Sequence, residues 1–465
     1  SPPYGIHWFR RDLNLDDNEA LLENILHHKG RVIGVFFFDQ EFLNRPDFSA
    51  RRFHFFLNTL KNLQKKMESI GGQLLIFDIK AQDGFAQIFK KQKPTLITWN
   101  RDYEPYARKR DNSIIKLLEQ ENIPFKTFRH HLIIEPWEIK NGLNEPYKVF
   151  TAFKKNWLNS FFDKNLKERC YPKTISSFSS VELSLEGLSL ANLDSWLQQN
   201  KNKLDLDGSY CLFKGDILNS FNEKIFSYDK SRDFPELAGT SQFAKYIKNG
   251  SLTTSQIIAH FHLNQGPLEN AQNIFLSELI WREFYYHSLY HNPRTEHEAC
   301  ILKYKNIKWD NNLELWEKWK QGETGFPLVD AGMRELKQTG FMHNRVRMVV
   351  ASFLVKNLHI DWRWGERYFM RMLLDGDLAP NNGGWQWCAS TGYDSLPYFR
   401  IFNPTNQAKR FDENAHYIKK YIPELKNVSA KEILSGKEIT GYAKPIIDYK
   451  TRTQKTLELY KEATE

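Results

Sequence analysis

Four short apolar runs divide the first 130 residues: Gly5–Phe9, Val32–Phe38, Leu74–Ile79 and Leu96–Trp99. Each has the length of a buried strand; amphipathic stretches at Asp16–His28 and Phe48–Ser69 lie between them, and another at Pro105–Gln120 follows the last. Strands separated by a helix-length segment cannot pair through a tight hairpin. They cross over and lie parallel, and a parallel sheet needs helices on both faces. The alternation therefore predicts an α/β domain over 1–130, whose ligands sit beyond the carboxyl ends of its strands. Neither GxGxxG nor GxxxxGK[ST] occurs, so no dinucleotide fingerprint or P-loop is encoded.

The pattern then changes. Residues 131–213 differ in character, and Pro172–Gly208 within them is rich in Ser, Leu, Asn, Lys and Asp with weak periodicity. This stretch reads as an inter-domain connector with one short helix near Asn192–Asn200. From Lys214 the strand signals fade. Helical stretches follow at Gly239–Asn249, Thr254–Phe261, Ala271–Tyr290, Asn312–Lys320, Leu328–Thr339, His343–Leu358 and Trp364–Leu374. The expected fold class is thus α/β plus all-α, with a helical domain over 214–465 large enough to enclose a cofactor.

Charge and composition narrow the partners. The formal net charge of +9 attracts a polyanion, most commonly nucleic acid, although a Lys-rich solvated surface gives the same total. No run approaches the roughly 18 apolar residues of a membrane span. The first residues lack the basic-then-apolar order of a secretory signal, so export is not expected. Cys170, Cys211, Cys300 and Cys388 are scattered without a CxxC pair, which suits isolated buried thiols in a reducing compartment. The 14 histidines include no HExxH, and no metal site is expected.

Four segments carry chemistry. In Ser277–Tyr285, Glu278, Trp281 and Arg282 stand at i, i+3 and i+4 and share one helix face. They could bind a flat heteroaromatic ligand, but the segment alone reads more readily as a surface ion pair beside a half-buried Trp. In Gly340–Met348, Asn344, Arg345 and Arg347 sit in the first turn of a helix, facing a pocket, an anion or nearby acids. Asp375–Trp387 holds three Gly, a Pro and two Asn, which predicts an ordered loop of unusual backbone. Trp385 and Trp387 are two apart in it, so an extended chain sends them to opposite sides. Finally, Gly239-Thr-Ser-Gln242, downstream of Tyr228, reads as a helix start whose hydroxyls face an anion or cap the helix.

Together these segments resemble the cryptochrome/photolyase family, most closely its microbial class I photolyases of cyclobutane pyrimidine dimers. The resemblance covers nearly the whole chain. It is strongest from Tyr228 to Leu425, ending in Pro397-Tyr-Phe-Arg-Ile-Phe-Asn-Pro404, and rests in the first domain on Trp8-Phe-Arg-Arg-Asp-Leu13, Asp17-Asn18 and Trp99–Asp111. It implies a Rossmann-like antenna domain followed by a helical domain that holds FAD folded into a U. It implies that Tyr228, Thr240 and Ser241 hold the ribityl-phosphate side. Glu278, Arg282, Asn344, Arg347, Asp375, Asp377 and Asn381 would line the cofactor, with Asp375 pairing Arg347 and Asn381 facing the flavin N5. Ala244 stands where Ser is common and Phe341 where Trp is frequent, neither of which alters the assignment.

By the same resemblance, Trp281 and Trp387 are the walls on which a flipped-out dimer packs. Glu278, Asn344 and Arg345 would meet its pyrimidine edges, Met348 its surface, and Arg400 the phosphates. Excited reduced FAD passes an electron to the dimer and recovers it once the ring has split. Trp385, Trp362 and Trp309 match the relay that reduces the flavin. Photolyases of (6-4) photoproducts carry His where Asn344 and Met348 stand, so the cyclobutane dimer is the expected lesion. A second, antenna chromophore (folate, deazaflavin or flavin) belongs near Trp99–Tyr106, with Asp102 and Glu104 as contacts. The implied protein is a monomer acting on damaged DNA in a bacterial-type cytoplasm, nucleoid-associated when bound, with no membrane partner. A cryptochrome-type light sensor shares most of these features but alters the lesion pocket or adds a long tail. A helical nucleic-acid binder without catalysis would share only the charge and the aromatics.

Overall fold

A computed structural model of the chain describes residues 2–163, 166–202 and 216–465. It divides into two compact units: Ser1–Asn144, Lys155–Gly208 and Phe243–Gly266 in one, and Glu145–Lys154, Ser209–Gln242 and Pro267–Glu465 in the other.

The first unit is built on a parallel sheet. Strands β1 (Gly5–Trp8), β2 (Val32–Phe37), β3 (Leu74–Phe77), β4 (Leu96–Asn100) and β5 (Phe125–Phe128) lie in the order β3-β2-β1-β4-β5. Helices α1 (Glu19–His28), α2 (Ala50–Ser69), α3 (Ala81–Lys91) and α4 (Pro105–Gln120) make the crossovers. The four apolar runs are the four strands that are buried along almost their whole length. The fifth escapes an apolar-run search because it is an edge strand, Phe-Lys-Thr-Phe, exposed in part. Asn18 and Ser49 end the loops before α1 and α2 by accepting from the backbone N–H of Leu21 and Arg52.

Helix α5 (Phe150–Asp163) and α6 (Leu193–Gln199) fall inside the stretch read as a connector. The short helix stands where it was expected. Much of the rest is pinned extended chain: Ile175 N donates to Leu15 O, Phe178 N to Ile70 O, Ser179 N to Gly30 O and Ala191 N to Ile76 O, all at 2.7–3.0 Å. Its aperiodic composition is that of a strap whose backbone bonds go to other segments of the first unit. Cys211 and the 213/214 boundary lie outside the described residues.

Onward come α7 (Tyr228–Ser231), α8 (Ala244–Asn249), α9 (Thr254–His260), α10 (Asn270–His291), α11 (Leu313–Gln321), α12 (Pro327–Thr339), α13 (Asn344–Lys356), α14 (Trp362–Met372) and α15 (Leu378–Ala389). They are followed by α16 (Pro404–Phe411), α17 (His416–Tyr421), α18 (Ala430–Ile433) and α19 (Tyr449–Thr464). The second unit's core gathers around α13, whose Val346, Val349, Val350, Phe353 and Leu354 are fully buried.

Two local expectations are corrected. Residues 378–389 are a helix, α15, where the Gly, Pro and Asn content suggested a loop. Pro380 falls in its first turn, where the missing N–H has no helical partner to lose. Gly383 lies against Tyr285, whose ring a Cβ would meet at 2.1 Å. The glycine serves packing there. Helix α8 begins at Ala244, after Phe243, so Thr240 and Ser241 precede it by a turn and do not cap it.

Gly250 shows how tightly the first unit is closed. Its φ is +79°, and a Cβ there would lie 2.0 Å from the carbonyl oxygen of Arg11. Gly250→Ala combines left-handed strain with a backbone clash and should destabilise the protein by about 2 kcal/mol or more. Chemical denaturation monitored by far-UV circular dichroism measures it.

Candidate functional site

The candidate side chains of the second unit sit mainly on α10, α13, α14 and α15, with Tyr228 on α7 and Thr240, Ser241, Trp309, Asp375 and Arg400 in the segments between helices. Glu278 Oε1 on α10 accepts from Nη2 of Arg232, which follows α7, at 2.6 Å, and the same guanidinium lies 5.2 Å over the Tyr228 ring. Burial and the Glu278 carboxylate raise the Tyr228 hydroxyl above its ordinary range, so it stays a neutral donor. One turn on, the Arg282 guanidinium lies 5.0 Å over Tyr286, whose hydroxyl donates to Asp377 at the start of α15. Trp281 is stacked on Phe150.

The first turn of α13 presents the second group. His343 caps the helix by accepting from Arg345 N at 3.1 Å. Arg345 donates to Asp233 at 3.0 Å and covers Phe411. Arg347 holds Asp375 with two bonds of 2.7 and 3.1 Å and gives its Nε–H to Met342 O at 2.6 Å. Asn344 is exposed and its side chain has no hydrogen-bond partner among the described residues, while Met348 lies half-buried against the core.

Helix α15 supplies the third. Asp377, Asn381 and Gly384 follow at i, i+4 and i+7 and form one stripe. Asn381 spends its Nδ2–H on Glu366 O at 3.0 Å. At Gly384 a Cβ would meet nothing within 4 Å, so this stripe borders open space. Trp385 and Trp387 point to opposite sides, because two residues advance about 200° around a helix. Trp385 is 2% exposed, edge-on to Phe369 at 4.8 Å, and its Nε1–H has no partner among the described residues. Trp387 is half-buried.

Trp362, the first residue of α14, is 3% exposed and shares the core cluster of Trp385. Trp309 packs against that cluster half-buried, edge-on to Tyr460. Thr240 and Ser241 are half-buried and Arg400 is exposed.

In the first unit, the carboxylates named for a second ligand are committed inside the chain. Asp102 lies 3.2 Å from His131 and 4.0 Å from Arg11, and Glu104 lies 3.8 Å from both Arg11 and Lys248. Burial pushes Asp102 up, but His131 and Arg11 outweigh it and leave the carboxyl far below its ordinary range. Asp12, beside them, takes hydrogen bonds from His7 at 2.8 Å and Asn100 at 2.7 Å.

Residues 5–172 match the family described as DNA photolyase, and residues 275–462 the FAD binding domain of DNA photolyase. A deoxyribodipyrimidine photo-lyase of Vibrio cholerae is 36% identical over 98% of this chain and 99% of its own. That of Escherichia coli is 35% identical, covering 98% of both. The chain belongs to the DNA photolyase family. Among solved structures, a bacterial class III photolyase from Agrobacterium tumefaciens superposes with a TM-score of 0.86 at 29% identity, covering 100% of this chain and 98% of that one. An archaeal photolyase from Sulfolobus tokodaii, which holds two FAD molecules, gives 0.81 at 33%, covering 98% and 99%.

The family's cofactor is FAD, and the chemistry of this photolyase's helical unit fits it. The Gly384 stripe leaves room for a bulky group, and the Trp385 indole N–H is an unspent buried donor, with the Arg347–Asp375 pair held in a fixed orientation in the same unit. Arg232 and Asp233, which orient Glu278 and Arg345, carry little sequence signal as site residues. Their only signal was a charge pair between Tyr228 and Pro235, and nothing local says which distant residues it meets. Phe150 gave no signal at all. Among the described residues, no group of His, Cys, Asp and Glu is arranged to hold a metal ion, and no helix is long and apolar enough to cross a membrane.

His343 is itself a titration probe of this photolyase's site. Burial pushes its imidazole down to about 4, and Arg347 and Arg345 add to the effect against Arg232 O and Asp233. A histidine held neutral in the fold contributes its stability fully above the unfolded value near 6.5 and loses it as pH falls towards 4. His343→Asn keeps a capping acceptor. Between about pH 7.5 and about pH 4.5, urea denaturation should show it losing up to about 3 kcal/mol less stability than the parent. Equal losses would show that His343 does not charge in this range.

Proposed function

We propose that this chain is a deoxyribodipyrimidine photo-lyase, a carbon–carbon lyase that uses blue light to split cyclobutane pyrimidine dimers in DNA. The observation that carries the reading is its end-to-end likeness to relatives bearing that activity's name. Bound reduced FAD supplies the light-driven electron that opens the cyclobutane ring, and takes it back afterwards.

The chain's own residues orient and shield. Tyr228, Thr240 and Ser241 hold the phosphate side of the cofactor, and Arg282, Arg347, Asp375 and Asp377 its ring side. Asn381, whose Nδ2 already donates to Glu366 O, would offer its amide oxygen to the flavin N5. Trp281 and Trp387 form the apolar walls for the flipped dimer, with Met348 between. Glu278, aimed by Arg232, and Asn344 and Arg345 bond to the pyrimidine edges. Asn344 is suited to this because its side chain is uncommitted. Arg400 grips phosphate beside the opening.

The burial gradient from Trp385 and Trp362 to Trp309 supports a relay that brings reducing electrons inward from solvent. A second chromophore in the first unit gathers light, a reading supported by the second FAD of the S. tokodaii protein. The enzyme acts as a monomer, since one chain carries the whole residue set, and works in the cytoplasm on the nucleoid, where a charge of +9 favours DNA.

Incubating the reduced protein with a thymine-dimer oligonucleotide should restore intact thymines in blue light and not in darkness. FAD-loaded, photoreducible protein that repairs nothing would leave a light sensor instead. Trp309→Phe should slow photoreduction yet leave repair by pre-reduced enzyme intact, and lost repair would refute the relay. Trp281→Ala should weaken dimer binding by about 1–3 kcal/mol.

A further inference from the structure

We infer that Phe150 is a positioning residue for the lesion pocket, fixing the plane of Trp281 and closing one of its two faces. The inference rests on the reading of Trp281 as a lesion wall. The two rings are 3.7 Å apart between centroids and 9° from parallel. That is nearly a face-to-face sandwich, whereas free aromatic pairs prefer offset or edge-on arrangements. Something other than the ring pair therefore holds it.

The holding contacts lie on both sides of Phe150. Its backbone N–H donates to Asp394 Oδ2 at 2.8 Å, so a carboxylate from the loop after α15 caps the start of α5. One turn later, Phe153 packs edge-on against Phe284 at 5.3 Å and His287 at 4.9 Å. Lys154 Nζ then donates to Ser277 Oγ at 2.5 Å. The first turn of α5 is thus fastened to α10 on either side of Trp281. Tyr285 (5.6 Å, 35°) and Phe284 (5.6 Å, 87°) bound the indole from its own helix. Phe150 is only 8% exposed, so it acts through Trp281 and does not touch the dimer itself. A dimer has only the opposite face and the free edge of the indole to pack on. The same Asp394 clamp ties this wall to the loop that carries Arg400.

The test uses the reduced holoenzyme and a thymine-dimer oligonucleotide, with KM, kcat and flavin content measured together. Phe150→Leu keeps an apolar side chain but not the flat ring, and should raise KM roughly three- to tenfold with kcat and flavin content little changed. Phe150→Tyr should restore the parental KM. In a Trp281→Ala background, Phe150→Leu should add nothing, because the side chain it positions is gone. An unchanged KM in Phe150→Leu, an equal rise in both backgrounds, or a rise accompanied by loss of flavin would each overturn the inference. If Trp281→Ala alone leaves KM unchanged, the lesion-wall reading fails first and takes the positioning role with it.

Discussion

The helical unit depends on how closely three helices approach, and two glycines set that distance. Gly365 on α14 receives the Trp385 ring, and Gly383 on α15 receives Tyr285 from α10; a Cβ at either would lie 2.1 Å from the ring. Each glycine costs a helix about 1 kcal/mol relative to Ala. The close approach offsets that cost by giving α15 its polar partners. Asp377 receives the Tyr286 hydroxyl, Asn381 reaches Glu366 O, and Asn382 donates to Thr295 O and to the Glu366 carboxylate at 2.9 Å. With wider spacing, these buried groups would be left unpaired.

A second constraint is electrostatic. Arg232, Arg345 and Arg347 are each matched to a carboxylate, Glu278, Asp233 and Asp375, before any ligand arrives. Paired this way, the guanidiniums hold a fixed orientation and need little reorganisation when charge moves through the site. Lys356 follows the same logic behind the site. It is fully buried, donates to Ser390 Oγ at 2.7 Å and Arg400 O at 3.0 Å, and burial pushes its ammonium down to about 8. Its buried charge is spent on holding the chain between α15 and Arg400 in one conformation.

Side chains near each other in sequence were readable in advance. Glu278, Trp281 and Arg282 do follow one another along α10, and Asn344, Arg345 and Arg347 do open α13, because helix periodicity alone places them. The Arg347–Asp375 pair, implied by resemblance, is present with two bonds. Helix α15 reads as a loop in sequence because composition cannot tell a glycine that breaks a helix from one that admits a neighbour's ring. Trp385 and Trp387 diverge all the same, since two residues point apart in a helix as in a strand. The strap at 172–191 was unreadable for a related reason: its hydrogen bonds go to segments as far away as Leu15 and Gly30.

The sequence by itself determined the parallel sheet, the helical second half and the family. These follow from periodicity and from motifs that are contiguous in the chain. Only the tertiary structure decided that Asp233 would face Arg345 across 112 residues, that Asp394 would cap a helix starting 244 residues earlier, and that Phe150 would lie flat on Trp281. Such contacts join residues with no common period. They are selected by which arrangement buries the core while satisfying every buried charge and N–H, a condition on the whole fold that no local stretch of sequence expresses.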